Sequence, residues 1–148
     1  MTFLQQIFRN EILNAALASW FVAQALKVII TFVQEKRINL YRFVGSGGMP
    51  SSHSSLVMGL STAVGLKAGW DSMLYAIALT FALVIMYDAS GVRRAVGKQA
   101  IILNKIIEDR HNHKPIGEQR LKELIGHTPF EVFAGAILGI IIANLMIS

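Results

Sequence analysis

The sequence predicts an all-α fold: a polytopic membrane helical bundle of about four transmembrane helices, with a polar, partly helical insert before the last span. Three observations lead there. Of the 148 residues, 53% are hydrophobic and 16% charged, with a mean hydropathy of +0.50, which is little charge for a water-soluble domain. The apolar residues gather into runs that approach or reach the ~20 residues a spanning helix needs. The charges fall between those runs, above all between residues 91 and 127. The length fits a single membrane domain covering residues 1–148. The absence of cysteine excludes a disulfide framework and a thiolate metal site. The net charge of +5 is interleaved with apolar runs, which favours membrane lipids or phosphate as partners and argues against nucleic acid.

The elements follow in order. Arg9 and Glu11 bracket the start of the first apolar run and no small-residue cleavage site follows it, so that run is expected to be retained. Span one, near 12–35, carries ILNAALASWFVAQALKVIITFV, interrupted only by Asn14, Ser19, Gln24, Lys27 and Thr31. Span two, near 53–70, is built on SSLVMGLSTAVGL, uncharged and rich in small residues suited to close helix packing. Span three, near 71–90, is uncharged between Asp71 and Asp88. In the insert, near 91–127, Val92, Val96, Ile102, Leu103, Ile106 and Ile107 recur at roughly helical spacing, predicting an amphipathic helix before Pro115 and Gly117. Span four, near 129–147, closes the chain with VFAGAILGIIIANLMI.

A zigzag of four spans brings the end of span one, the start of span two, the end of span three and the start of span four to one membrane face. Onto that face fall Lys27, Arg37, the stretch GGMPSSHSS (47–55), Asp88, Arg93, Arg94 and His127 to Glu131. Of the lysines and arginines, the same face receives Lys36, Arg37, Arg42, Arg93, Arg94, Lys98, Lys105, Arg110, Lys114, Arg120 and Lys122, against Arg9 and Lys67 opposite. The positive-inside bias then sets this face in the cytoplasm.

Each converging residue has a plain and a chemical reading. Gly47, Gly48 and Pro50 suit a turn into a helix that Ser51 or Ser52 caps. The same helix start offers free N–H groups and a positive dipole end to a phosphate. His53, beside that pocket, is able to donate a proton near neutral pH. His127 and Glu131, four residues apart around Pro129, share a helix face. They make either a cap or ion pair, or an imidazole oriented through one nitrogen with the other acting as nucleophile or base. Arg93 and Arg94 read singly as headgroup anchors and Lys27 as a snorkelling side chain. Together at one face, such costly groups point to function.

Pro50-Ser51-Ser52-His53 resembles the P-S-G-H motif of the type 2 phosphatidic acid phosphatase and vanadium haloperoxidase superfamily. His127 to Gly135, HTPFEVFAG, resembles its third motif, a histidine followed four residues later by an aspartate. With VIMYDASGVRR between them, the chain is similar to the small divergent branch of that superfamily over most of its length. The resemblance implies a metal-independent phosphatase with no cofactor. His127 would be the nucleophile, Glu131 its orienting carboxylate and His53 the acid, with Lys27, Arg93 and Arg94 clamping phosphate, helped by Ser51 and Ser52. Arg37 and Asp88 complete the candidate set. The departures are Ser52 in place of glycine, Glu131 in place of aspartate, Gln34 where the first motif has arginine, and about thirty residues between Arg94 and His127 where the superfamily has five. Lys27 and Arg37 would stand ~15 Å apart along a continuous helix.

The leading expectation is an integral, multi-pass membrane phosphatase. It would hydrolyse a lipid phosphate monoester or pyrophosphate through a phosphohistidine. The alternative is a non-catalytic membrane protein binding phospholipid headgroups or phosphate through the same cations. A divalent-metal site built from Asp88, Glu131, His53 and His127 is chemically allowed. A homodimer is compatible with so small a bundle, though no residue specifies one.

Overall fold

The structure, a computed structural model, describes residues 2–36, 48–110 and 126–147; of residues 4, 34, 35, 93, 94 and 107–110 it describes the backbone alone. The candidate Arg37 lies outside the described residues. Among the described residues six α-helices follow one another, α1 (Phe3–Phe8), α2 (Glu11–Glu35), α3 (Ser52–Ala68), α4 (Met73–Ser90), α5 (Val92–Arg110) and α6 (Pro129–Ile147), and there is no strand.

Their starts are set by side chains that satisfy the first free amides. Asn10 accepts from the Leu13 amide and Ser72 from the Tyr75 amide, while Thr2 and Gln5 form a capping box at α1. α2 ends at Lys36, in the left-handed region with φ 51°.

Among the described residues, three segments are long and apolar enough to cross a membrane: Glu11–Val33, Met73–Ile106 and Pro129–Ile147. The second, 34 residues long, joins α4 to α5. At 1.5 Å per residue it would extend roughly 50 Å, well beyond a ~30 Å hydrocarbon core, so α5 with its charges must extend past the core or lie along its surface. The change comes at Gly91, where φ −100° and ψ −87° interrupt the helix.

α3, with 17 residues, is shorter than these spans and much less apolar. Its position explains its composition. It packs on α2, α4 and α6, most extensively on α6, so its side chains meet protein instead of lipid. Ser52, Ser54, Ser55, Gly59, Ser61, Thr62, Ala63 and Gly65 are all buried. Helices in lipid gain no hydrophobic attraction for one another, and small residues that admit close backbone contact take its place. The register is regular at every fourth residue: Ala15, Ser19, Ala23, Lys27 and Thr31 on α2, Ser51, Ser55, Gly59 and Ala63 along α3, and Gly135, Gly139 and Ala143 on α6, all buried. The Ser55 hydroxyl crosses from α3 to donate to the Ser19 carbonyl at 2.9 Å, and Gly139 lies against the Ser55 carbonyl and the Gly59 amide.

The helices alternate in direction, as the zigzag requires. At one end Ala15, Ala63 and Ala143 form a core with Ile12 and Ile147 against it, and Lys67 pairs with Glu11. At the other, the Ser51 amide donates to the Glu131 carbonyl and the His127 amide to the Ala89 carbonyl, both at 3.0 Å. Those bonds tie the starts of α3 and α6 to the end of α4.

Candidate active site

The site is assembled at that second end. Gly126, with φ 104°, takes a conformation that a side chain would strain, and delivers His127 to the bundle. Thr128 and Glu131 then start α6 as a capping box. The Glu131 amide donates to Thr128 Oγ1 at 3.3 Å, and the Thr128 amide to Glu131 Oε2 at 2.8 Å. The same oxygen, Oε2, lies 3.3 Å from His127 Nδ1. One carboxylate thus both caps the helix and contacts the imidazole. With Nδ1–H donating to Glu131, the lone pair is on Nε2.

His127 is 3% exposed. Lys27, two-thirds of the way along α2, is 2% exposed, and its charge acts on His127, as does that of the His53 ring. The snorkelling expected of an isolated lysine is not seen: Lys27 occupies a position of the small-residue register, enclosed by the bundle. An ammonium enclosed this way is costly unless it meets negative charge.

Burial pushes the His127 imidazole below its ordinary value; Glu131 opposes the shift, while Lys27 and then His53 add to it. The ring is thus neutral near pH 7, the form a nucleophile requires. Folding is linked to this titration. The unfolded chain protonates His127 before the folded one does, so the associated stability is present above the ordinary imidazole range and is lost as pH falls through the lowered value. A histidine NMR titration is expected to place His127 below an exposed histidine. Lys27→Met raises its midpoint and Glu131→Gln lowers it further; shifts of the opposite sign would contradict the arrangement.

At the start of α3, Gly48 has φ 87° and leads through Met49 and Pro50 to Ser51. Ser51, fully buried, is the cap: its Oγ accepts from the Ser54 amide at 3.4 Å and from the Ser54 hydroxyl at 3.0 Å. Ser51 Oγ is the acceptor in both bonds, which leave its own O–H as a donor; the further donors at this turn come from Ser52, 2% exposed, and His53, half-buried. As the first residues of α3, their amides have no carbonyl four residues back within the helix. Asp88, half-buried, stands in the last turn of α4. Arg93 and Arg94 stand in the first turn of α5, at this same end; their side chains lie outside what is described. Among the described residues, no group of three or more His, Cys, Asp or Glu side chains is placed to hold a metal ion.

The composition alone does not reveal the capping role of Thr128, although the T-x-x-E spacing is its signal. Nor does it reveal the engagement of Gly135, whose neighbour is the Ser51 backbone. That contact joins residues 84 positions apart and leaves no local mark.

Comparison with known proteins adds two findings. Residues 8–142 match the family described as the Divergent PAP2 family. The chain is 38% identical, over 95% of its length and 96% of the relative's, to a protein of Bacillus subtilis (strain 168) described as the uncharacterized membrane protein YuiD. No solved structure matches.

Proposed function

Because this chain belongs to the Divergent PAP2 family, an integral membrane protein of several apolar helices, we propose that it hydrolyses the phosphate of a membrane lipid through a phosphohistidine at His127. The observation that carries this reading is the buried His127 with Nδ1 on Glu131, in the field of an enclosed lysine.

The chemistry follows from the groups in hand. The phosphoryl group of the substrate sits at the start of α3, where the amides of Ser52 and His53 and the Lys27 ammonium offset its charge. The resemblance adds Arg93 and Arg94, in the first turn of α5, as further cations for the phosphate. His127 Nε2 attacks phosphorus, the P–O bond to the lipid breaks, and His53 gives its proton to the departing oxygen. The His127 ring becomes cationic as the P–N bond forms, and the Glu131 carboxylate at Nδ1 stabilises that charge. Water then attacks phosphorus while His53, now neutral, takes its proton; the P–N bond breaks and inorganic phosphate leaves. A covalent intermediate divides one displacement into two easier ones.

The excess of lysines and arginines that the sequence assigns to this face supports a site at the cytoplasmic leaflet, where a lipid phosphate monoester or pyrophosphate would reach it sideways from the bilayer. The test is a substrate panel of phosphatidate, phosphatidylglycerophosphate and polyprenyl pyrophosphate with the purified full chain, quenched in base to trap an acid-labile phosphohistidine. Phosphorylated peptide is expected at residue 127. Retention of these lipids with neither phosphate release nor phosphopeptide would leave the non-catalytic headgroup binder as the function.

A further inference from the structure

Among the described residues, apolar grooves lie on two parts of the bundle surface. One, about 390 Å³, is lined by Leu26 and Ile30 of α2, Met49 and Pro50, and residues of α6 from Ala134 to Ile141. The other, about 510 Å³, lies along α4 between Met73 and Val84. The first includes Met49 and Pro50, which lead into Ser51 at the site end of the bundle. Leu26 adjoins Lys27, Pro50 adjoins Ser51 and Ala134 adjoins Gly135, so on each of three elements a groove-lining residue is the chain neighbour of one buried inside the bundle. The second groove begins at Met73, the end of α4 remote from Ala89.

Resting on the phosphatase reading for its headgroup end, we propose that the groove between α2 and α6 holds the chain segment of the substrate nearest the phosphate. The occupant is a single hydrocarbon chain. Every lining side chain is apolar, and Ile137 and Ile141 are 57% and 49% exposed, so the groove opens laterally where the bilayer supplies its lipids. From Ala134 to Ile141 is ~10 Å along α6. At the roughly 1.2 Å per bond of an extended chain, this accommodates about eight carbons, with any further length returning to the bilayer. Lipid tails gain little by leaving one apolar medium for another. The groove therefore positions the chain and sets the direction from which the phosphate is presented, and it adds little to affinity.

A positional experiment tests this. An alkyl phosphonate, whose P–C bond resists hydrolysis, carries a diazirine about eight carbons from phosphorus and is photolysed with the full chain in nanodiscs. Label is expected on α6 around Ile137 and Ile141 and on α2 around Leu26, the groove residue of α2 farther from the site. It should be lost in Ile137→Trp, an exposed position where the larger ring fills the groove without repacking the core, and should persist in His127→Ala. The proposal is overturned if α4 around Ile77 and Phe81 is labelled as strongly, if groove label survives in both Ile137→Trp and Ile141→Trp, or if a diazirine alkane without a phosphonate labels the groove equally. The two readings fail separately: groove label with phosphate release independent of His127 removes the chemistry alone, and release dependent on His127 with label on α4 removes the groove alone.

Discussion

His127→Ala is expected to lower kcat for phosphate release by on the order of 10⁴- to 10⁶-fold, the range for removal of a nucleophile from a concerted catalytic unit. At 1.36 kcal/mol per decade this is about 5–8 kcal/mol of transition-state stabilisation. The fold should survive, because the bond that holds this segment to α4 is made by the backbone, His127 amide to Ala89 carbonyl at 3.0 Å, and alanine retains it. The loss is therefore chemical, and binding of a non-hydrolysed phosphonate should change far less than turnover. Rescue separates a nucleophile from a structural ring: the side chain is 3% exposed, so its removal leaves a cavity that added imidazole is able to enter and restore part of the rate. Glu131→Gln should fall between, since glutamine still accepts from the Thr128 amide and preserves the cap, yet no longer carries the charge that offsets the phosphorylated ring. Phosphate release within tenfold of the parent in His127→Ala would end the phosphohistidine mechanism.

Much of this arrangement was legible because membrane helices advertise their ends. Asn10, Ser51 and Ser72 each precede an apolar run and each caps a helix, and Pro129 follows its cap directly, where its missing N–H costs nothing. The alternation of direction that brings Lys27, Ser52, Ala89 and His127 together needs only the order of the spans. What local pattern could not supply was partner choice. α3 reads as a weak span because a seventeen-residue run rich in serine and glycine looks poorly suited to lipid, yet that composition is what a helix enclosed by three others requires. Ser51 completes the cap expected of Ser51 or Ser52, and a serine before a helix has the same appearance whether it caps alone or also serves a phosphate. Lys27 was open to a snorkelling reading, although its place in the series Ala15, Ser19, Ala23, Lys27, Thr31 was the available sign that it points inward.

Adding one methyl group at the contact between α3 and α6 should be among the most damaging small changes in the protein. An alanine Cβ at Gly139 would lie 2.3 Å from the Ser55 carbonyl oxygen and 2.8 Å from the Gly59 amide nitrogen; at Gly135 it would lie 2.2 Å from the Ser51 carbonyl oxygen. Those neighbours are backbone, so no rotamer relieves the overlap and the two helices must separate. Overpacking of this kind costs about 1–3 kcal/mol and sometimes more. Gly65 supplies the contrast. There the added Cβ would meet the ring of Trp70 at 2.4 Å, but that side chain is 55% exposed and is able to swing aside, so Gly65→Ala should leave thermal stability nearly unchanged. The two glycines of α6 should also differ from each other. Gly139 lies deeper in the bundle, and Gly139→Ala should lower the melting temperature while the protein that remains folded keeps its turnover. Gly135 bears on Ser51, whose amide bonds the Glu131 carbonyl, so displacing it moves the start of α3 away from the carboxylate that orients His127. Gly135→Ala should therefore lose both stability and phosphate release, measured together by a thermal shift assay and a phosphate assay on the same preparation. Equal melting temperatures for Gly135→Ala, Gly139→Ala and Gly65→Ala would mean that α3 and α6 do not approach as closely as their glycines allow.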